Sequence, residues 1–179
     1  MISAPGWRKT LRIMENGILI RPVAEADAEA ITRIYNHYVV ETTVSFETEA
    51  LTLGQMRQRM TDISARYPYY VAVDGDRVVG YCCVHQWKER KAYSHTLEVT
   101  IYLDPEHCGK GAGTMMMNRL LADCRRMEDC RNLIACITEE NAASLAFHAR
   151  HGFEKVSHFK RVGYKFGRWL DVVDMELML

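Results

Sequence analysis

Gly109, Gly111 and Gly113 alternate through the run His107-Cys108-Gly109-Lys110-Gly111-Ala112-Gly113, between a β-patterned stretch ending near Leu103 and a helix-patterned stretch beyond. Glycine lets backbone amides approach a bound group without side-chain obstruction, and amides at a helix N-terminus favour an anion. Phosphate is the natural guest. A tight strand-to-helix turn without a ligand asks for the same glycines, so the run alone leaves both possibilities open. Two familiar phosphate loops are disfavoured. A nucleoside-triphosphate loop ends in Gly-Lys-Ser/Thr, whereas Lys110 lies inside this run and Thr114 follows a glycine. The dinucleotide fingerprint requires Gly-x-Gly-x-x-Gly, which Gly109-x-Gly111-x-Gly113 lacks.

Metal chemistry finds little footing. Cys82, Cys83, Cys108, Cys124, Cys130 and Cys136 include no C-x-x-C pair of the kind that holds zinc or forms a redox dithiol. The sequence predicts no metal, and free thiols that serve mostly as small apolar core residues. The 23 basic residues balance the 23 acidic ones, so no global field draws the chain to nucleic acid or an anionic membrane. No run approaches the roughly 20 apolar residues of a membrane span, and the first 17 residues lack the apolar core of a signal peptide. A cytoplasmic protein without nucleic-acid or membrane partners is expected.

The elements that must position the loop follow from periodicity. With 179 residues, 48% of them apolar, the chain can build one ordinary core. Ile18 to Val23 reads as a strand, with Pro22 acceptable at its end. Ile31, Ile34, Tyr35, Tyr38 and Val39 follow helical spacing, with Asp27 as N-cap. Thr52-Leu53-Gly54-Gln55 has the form of a capping box, and the helix behind it is expected to reach about Arg66. Glu41 to Leu51, carrying Phe46, is an irregular polar loop. Tyr70–Val73 and Val78–Val84 form a hairpin across Asp74-Gly75-Asp76-Arg77.

Thr96 to Leu103 alternates, with Leu97, Val99, Ile101 and Leu103 on one face and Glu98, Thr100 and Tyr102 on the other. A helix opens near Gly113 and runs to about Met127. Leu133 to Thr138 is a strand, and Asn141 caps a helix ending at Gly152. Phe153–Val162 and Trp169–Leu177 are the last two strands, joined through Gly163-Tyr164-Lys165-Phe166-Gly167. The predicted order is β-α-α-β-β-β-α-β-α-β-β, an α/β fold, with residues 1–17 as an extension and 18–179 as a single domain.

With these motifs in place, the chain resembles the GNAT superfamily of N-acetyltransferases, whose signature is Arg/Gln-x-x-Gly-x-Gly/Ala after a strand. Gly111-Ala112-Gly113 matches the glycine half, while Cys108 stands where the signature prefers Arg or Gln. More narrowly it resembles the phosphinothricin acetyltransferase branch, through Ile34-Tyr35-Asn36, Trp87 to Tyr93, Glu98-Val99-Thr100-Ile101-Tyr102, Asn141-Ala142-Ala143-Ser144, His148 to Phe153 and Gly167-Arg168-Trp169-Leu170-Asp171. The resemblance implies a mixed, mostly antiparallel central sheet flanked by helices. It also implies acetyl-CoA as acetyl donor, direct transfer in a ternary complex and a homodimer.

Residue by residue, the resemblance places the cofactor on Ile101, Tyr102 and Leu103, on Cys108, Gly109, Lys110, Gly111, Ala112, Gly113 and Thr114, and on Asn141, Ser144 and Arg150. An ammonium has no lone pair to attack a thioester, so a base must take its proton, and Glu98 stands at the matching position. His148 occupies the place of a tyrosine proton donor and can titrate near neutrality; hydrogen bonding at the pocket's edge is its alternative role. Asn141 can cap its helix and bind pantetheine at once, and an exposed helix position suits Arg150 equally well. Lys88, Arg90 and Tyr93 would bind the acceptor's anionic group, or form a charged surface turn. Tyr35 and Phe46 would wall the acceptor, with Glu98 and Thr100 also facing it. The implied acceptor is a small-molecule amine of the phosphinothricin, methionine sulfoximine or methionine sulfone type. Transfer to a polyamine or a peptide N-terminus, and non-catalytic acyl-CoA binding, are the alternatives.

Overall fold

The computed structural model describes residues 13–15 and 17–179. The extension expected over 1–17 lies outside the described residues, apart from Gly17 and the strand β1 (Ile13–Glu15), which pairs antiparallel with β2 (Ile18–Pro22). The remaining elements are α1 (Ala28–Glu41), α2 (Leu53–Ser64), β3 (Tyr69–Asp74), β4 (Arg77–Gln86), β5 (Thr96–Leu103), α3 (Ala112–Cys124), β6 (Asn132–Thr138), α4 (Ala142–Arg150), β7 (Glu154–Lys155), β8 (Phe159–Lys165) and β9 (Arg168–Met178). They fall into two compact units. One holds residues up to Tyr35, Leu51–His85 and Thr100–Met127; the other holds Asn36–Ala50, Gln86–Val99 and Glu128–Leu179. The chain passes between them within α1, β4 and β5.

In the first unit the strands run in the order β1-β2-β3-β4-β5, antiparallel from β1 through β4. The β3–β4 hairpin turns on Gly75-Asp76, with Asp74 opposite Arg77 and Gly75 at φ 56°, so the glycine occupies the first central position, which favours it. Gly80 in β4 cannot be larger: a Cβ there would stand 2.7 Å from Leu103 Cδ2, 2.9 Å from the Tyr102 carbonyl and 3.0 Å from Met116 Cε. This close approach sets α3 and the end of β5 against β4. Met116, Met117, Leu120, Leu121 and Cys124 on α3 are buried core residues.

A buried polar triad adds direction to that packing. Asp123 on α3 accepts from Tyr70 Oη of β3 at 2.5 Å and from Arg119 Nε at 2.7 Å, and the Arg119 guanidinium lies 4.9 Å from the Tyr70 ring centre. Burial and the Asp123 carboxylate push the Tyr70 hydroxyl well above its ordinary range.

In the second unit β5 and β6 are parallel, β6 and β9 antiparallel, and both β7 and β8 pair with β9. The long β6–β9 register, from Asn132↔Met178 to Thr138↔Val172, buries Leu133, Ala135, Ile137, Val173 and Met175 on one face. The parallel register of β5 with β6 covers Thr96↔Asn132, Leu97↔Leu133 and Glu98↔Ile134.

Several boundaries differ from expectation. Asp27 does not cap α1; it ends a 3-10 turn over Glu25–Asp27 that runs straight into the helix. Its carboxylate accepts from the Ala24 amide at 2.8 Å and, in bidentate fashion, from Arg21 at 2.7 Å, so the cap position moves back to Ala24. The Thr52 cap is as expected, with Gln55 N to Thr52 Oγ1 at 3.2 Å and Thr52 N to Gln55 Oε1 at 2.8 Å, although the helix stops at Ser64 rather than near Arg66. The predicted strand Phe153–Val162 is two strands, β7 and β8, broken where the Val156 and Ser157 amides both turn to the Asp174 carbonyl. The predicted loop Gly163–Gly167 shrinks to Phe166-Gly167, at φ 50° and 75°. Gly163 and Lys165 belong to β8.

Candidate active site

In the first unit, the glycine loop leaves β5 through a built turn. Asp104 caps a 3-10 turn over Pro105–His107, accepting from the Glu106 amide at 3.2 Å, and its own amide donates to the Val79 carbonyl at 2.8 Å. Its buried carboxylate receives Arg33 and Arg77, each at 2.8 Å. Burial by itself would raise the Asp104 carboxyl, but these guanidinium partners and the Glu106 amide outweigh it and hold the group below its ordinary range. Asp104, Glu106 and His107 come close enough together for a cation, yet two arginines already neutralise Asp104.

Gly109 and Gly111 then take φ 77° and 91°, a left-handed backbone that a side chain would strain, and a Cβ at either would meet open space. Gly111 is the N-cap of α3, which opens one residue earlier than expected, at Ala112. The Met115 amide closes the first turn on the Gly111 carbonyl at 3.1 Å. The amides of Ala112, Gly113 and Thr114 are those that helix geometry leaves without a carbonyl four residues back. Open space, unobstructed backbone and a positive helix end together fit a phosphate. Cys108, standing where the signature prefers Arg or Gln, turns its thiol to the Asp104 carbonyl at 3.8 Å, and Lys110 is exposed.

Tyr35 is only 7% exposed and does not form an open wall. It meets Tyr102 edge to face at 5.2 Å, Tyr102 stacks on Tyr81 at 5.6 Å, and Tyr81 on Tyr69 at 5.9 Å, so Tyr35 ends an aromatic column. Ile101, Tyr102 and Leu103 are half-buried on β5, and Thr100 Oγ1 lies 3.4 Å from His85 Nε2.

In the second unit, Glu98 is half-buried on β5, at the last residue of the β5–β6 register. The registers carry Cys136 of β6 and Asp174 of β9, directly opposite one another, onto the Glu98 face of the sheet. Desolvation, reinforced by the charges of Glu98 and Asp174, pushes the Cys136 thiol far up, despite a hydrogen bond from Trp87.

On α4, Asn141 is the N-cap, its Oδ1 accepting from the Ser144 amide at 3.1 Å. His148 is 3% exposed, edge-on to Phe147 and Phe153. Burial lowers its pKa against the pull of the Ser144 carbonyl. Its Nδ1 lies 2.9 Å from that carbonyl and so carries the proton, while the buried Nε2 finds no hydrogen-bond partner among the described residues. This contact matches the hydrogen-bonding role that was the alternative to proton donation for His148. Arg150 is exposed in the last turn.

Two of the acceptor candidates, Lys88 and Tyr93, meet around Trp87. The Lys88 ammonium sits 3.8 Å over the Trp87 ring centre and 5.2 Å from that of Tyr93, a cation–π seat that sequence reasoning missed because Trp87 was only part of a matched motif. Arg90 is exposed and precedes the 3-10 turn Lys91–Tyr93. Phe46 is 41% exposed, yet its ring lies against the backbone of Gly163 in β8. Also missed were Glu140, Lys165 and Arg168, which hold the α1–α2 loop from far along the chain; Arg168 was legible only as one letter of a motif.

Among the described residues, no helix is long and apolar enough to cross a membrane. An acetyltransferase (GNAT) domain profile matches residues 20–173. The phosphinothricin N-acetyltransferase of Alcaligenes faecalis is 38% identical over 88% of this chain and 80% of its own length. The L-methionine sulfoximine/L-methionine sulfone acetyltransferase of Salmonella typhimurium is 35% identical over 89% of this chain and 94% of its own. Among solved structures, a GNAT phosphinothricin acetyltransferase from Sinorhizobium meliloti in complex with acetyl-CoA superimposes with a TM-score of 0.87 at 34% identity, covering 91% of this chain and 89% of that one. An acetyltransferase from Salmonella typhimurium with its cofactor acetyl-CoA gives a TM-score of 0.87 at 33% identity, over 90% of this chain and 94% of that one. A glycine loop that fits a phosphate, a mostly antiparallel α/β sheet and these likenesses converge: the chain belongs to the GNAT acetyltransferase family.

Proposed function

We propose that the protein is an acetyl-CoA-dependent N-acetyltransferase that acylates the amino group of a small amino-acid-like acceptor, of the phosphinothricin, methionine sulfoximine or methionine sulfone type. The observation that carries the reading is the left-handed loop at Gly109 and Gly111 feeding the N-terminus of α3. The curated relatives supply the acceptor class.

In this reading the amides of Ala112, Gly113 and Thr114 hold the pyrophosphate, flanked by Cys108 and Lys110, while Asn141, Ser144 and Arg150 serve the rest of the cofactor. Acetyl-CoA, when bound, supplies an activated acyl carbonyl. Glu98 accepts the proton that the acceptor's ammonium must lose before its nitrogen can attack. Backbone amides over Ile101–Leu103 stabilise the negative charge that develops on the carbonyl oxygen. His148, neutral and hydrogen-bonded to Ser144, orients the first turn of α4 instead of delivering a proton. Phe46 and Lys88 face the acceptor.

We place the enzyme in the cytoplasm, consistent with six free cysteines. A homodimer is proposed on the exposed apolar residues Phe159, Val162, Tyr164, Phe166 and Trp169 of the β8–β9 hairpin. The test is a thiol-release assay with acetyl-CoA against phosphinothricin, methionine sulfoximine, methionine sulfone, polyamines and peptides. Release with one or more of the first three is expected; silence on all three would sink the acceptor assignment.

A further inference from the structure

Three of the four residues Thr43 to Phe46 in the α1–α2 connection, namely Thr43, Ser45 and Phe46, are gripped from elements about a hundred positions away in the chain. Thr43 Oγ1 donates to Glu140 Oε1 at 2.5 Å, and the Thr43 carbonyl accepts from Thr138 Oγ1 at 2.6 Å. Glu140 is locked in turn by Arg168, whose guanidinium forms two bonds of 2.7 Å to its carboxylate. The Ser45 carbonyl accepts from Lys165 Nζ at 2.6 Å. The Phe46 ring lies so close to Gly163 that a Cβ there would stand 2.3 Å from Phe46 Cε2 and 2.6 Å from Cζ.

Lys165 is the telling member. It is 4% exposed, its position on a strand asks for nothing charged, and the neighbouring Phe166 ring centre lies 5.1 Å from the ammonium. Burying an ammonium is unfavourable unless a specific partner compensates it, and the hydrogen-bond partner here is a loop carbonyl. Desolvation lowers the pKa of Lys165 while the charge of Glu47, on the same loop, raises it. Gly163 and Lys165 are two apart on β8 and so share a face. Phe46 rests on the first and Ser45 on the second. One strand face thus fixes both the loop's backbone and its exposed aromatic ring.

We propose that Lys165, with Gly163 beside it, is a positioning residue that holds the Thr43–Phe46 segment as a fixed acceptor wall and thereby sets acceptor selectivity. This inference rests on the proposed acetyl transfer to a small amine, and on Phe46 facing that amine. The latch acts on the acceptor alone; the glycine loop that would serve acetyl-CoA lies on other elements.

The test compares the full-length protein with Lys165→Met, Lys165→Arg and Gly163→Ala, using whichever amine of the acceptor panel the parent protein turns over best. Lys165→Met should raise the acceptor KM by about tenfold, as expected for a lost charge-assisted hydrogen bond, with the KM for acetyl-CoA changed less than about twofold. Lys165→Arg should restore most of the loss. Gly163→Ala must displace the Phe46 ring and should change the ranking of acceptors by side-chain size. Hydrogen exchange of residues 42–50 gives a readout independent of turnover, and it should quicken in Lys165→Met and in Gly163→Ala. Unchanged exchange there, or both KM values rising together, would overturn the latch. Absence of turnover by the parent protein with every amine would instead refute the proposed function, and exchange would then decide the latch by itself. Should Lys165→Met fail to fold, Gly163→Ala carries the same comparisons.

Discussion

The glycine loop and the α1–α2 connection are both irregular segments that lead to or from a helix, and they are held by opposite means. The loop is a local object. Asp104, Gly109 and Gly111 dictate its path within a few residues of one another, through a cap bond and two left-handed backbone positions, and what it offers a ligand is main chain. The connection is held by side chains 95, 97 and 120 positions away in sequence, and what it offers is the exposed ring of Phe46. Backbone recognition tolerates a departure such as Cys108, because the amides survive the change of side chain. Recognition by a remotely braced side chain does not, because every brace must be present at once.

The largest expected effect tests whether chemistry sits with side chains while binding sits with backbone. Glu98→Gln should lower kcat by roughly 10²–10⁴-fold, the range for a lost general base, with acetyl-CoA affinity preserved. Near-normal turnover in steady-state assays would remove Glu98 from the mechanism. Next comes the buried brace beneath α3. Arg119→Met leaves the Asp123 carboxylate, 4% exposed, to the Tyr70 hydroxyl and the exposed Arg126 at 3.6 Å, and should destabilise the fold by about 3 kcal/mol. Chemical denaturation would show it, and a loss under about 1 kcal/mol would mean that Tyr70 and Arg126 suffice.

A smaller effect is expected in the loop itself. Gly111→Ala places a Cβ at φ 91°, at a strain of about 1–3 kcal/mol. Calorimetric titration should show weaker acetyl-CoA binding with the acceptor KM unmoved. Equal losses for both ligands would break the division between a backbone-built and a side-chain-built region.

The smallest effect concerns pH. Hydrogen bonds from Arg168 and Thr43, chiefly the former, hold Glu140 at about 2 rather than its ordinary 4.5. A carboxyl lowered on folding contributes stability above its unfolded pKa and loses it as pH falls through the folded one. The pair is solvent-exposed, so the contribution is modest. Glu140→Gln should therefore melt slightly below the parent protein at neutral pH, with the gap closing between pH 4.5 and about 2. A gap that persists unchanged at low pH would assign the loss to packing instead of charge.

The same division governs what could be read ahead of the structure. Thr52 with Gln55, the Gly75 hairpin turn, the Asn141 cap and the β5 span Thr96–Leu103 were legible, because each depends on residues within a turn or a strand of one another. Asp27 was misread because its carboxylate is engaged by Arg21 across a strand end, a contact no capping pattern contains. The β8–β9 turn was misread because Gly163 looks like loop glycine, whereas its small size serves Phe46 from another part of the chain. His148 was placed correctly on α4, but its protonation depends on burial and on which carbonyl its Nδ1 meets, and neither has a sequence signature.

The sequence by itself determined the family, the element order in outline and the loop at Gly109–Gly113. Alternation, helical spacing, caps and glycine conformations act over a few residues, where the chain's own geometry leaves few choices. Only the tertiary structure decided that Lys165 grips Ser45, that Arg168 and Glu140 brace Thr43, and that Cys136 stands between Glu98 and Asp174. Such contacts depend on strand registers and burial set by the whole fold, and no spacing along the chain encodes them.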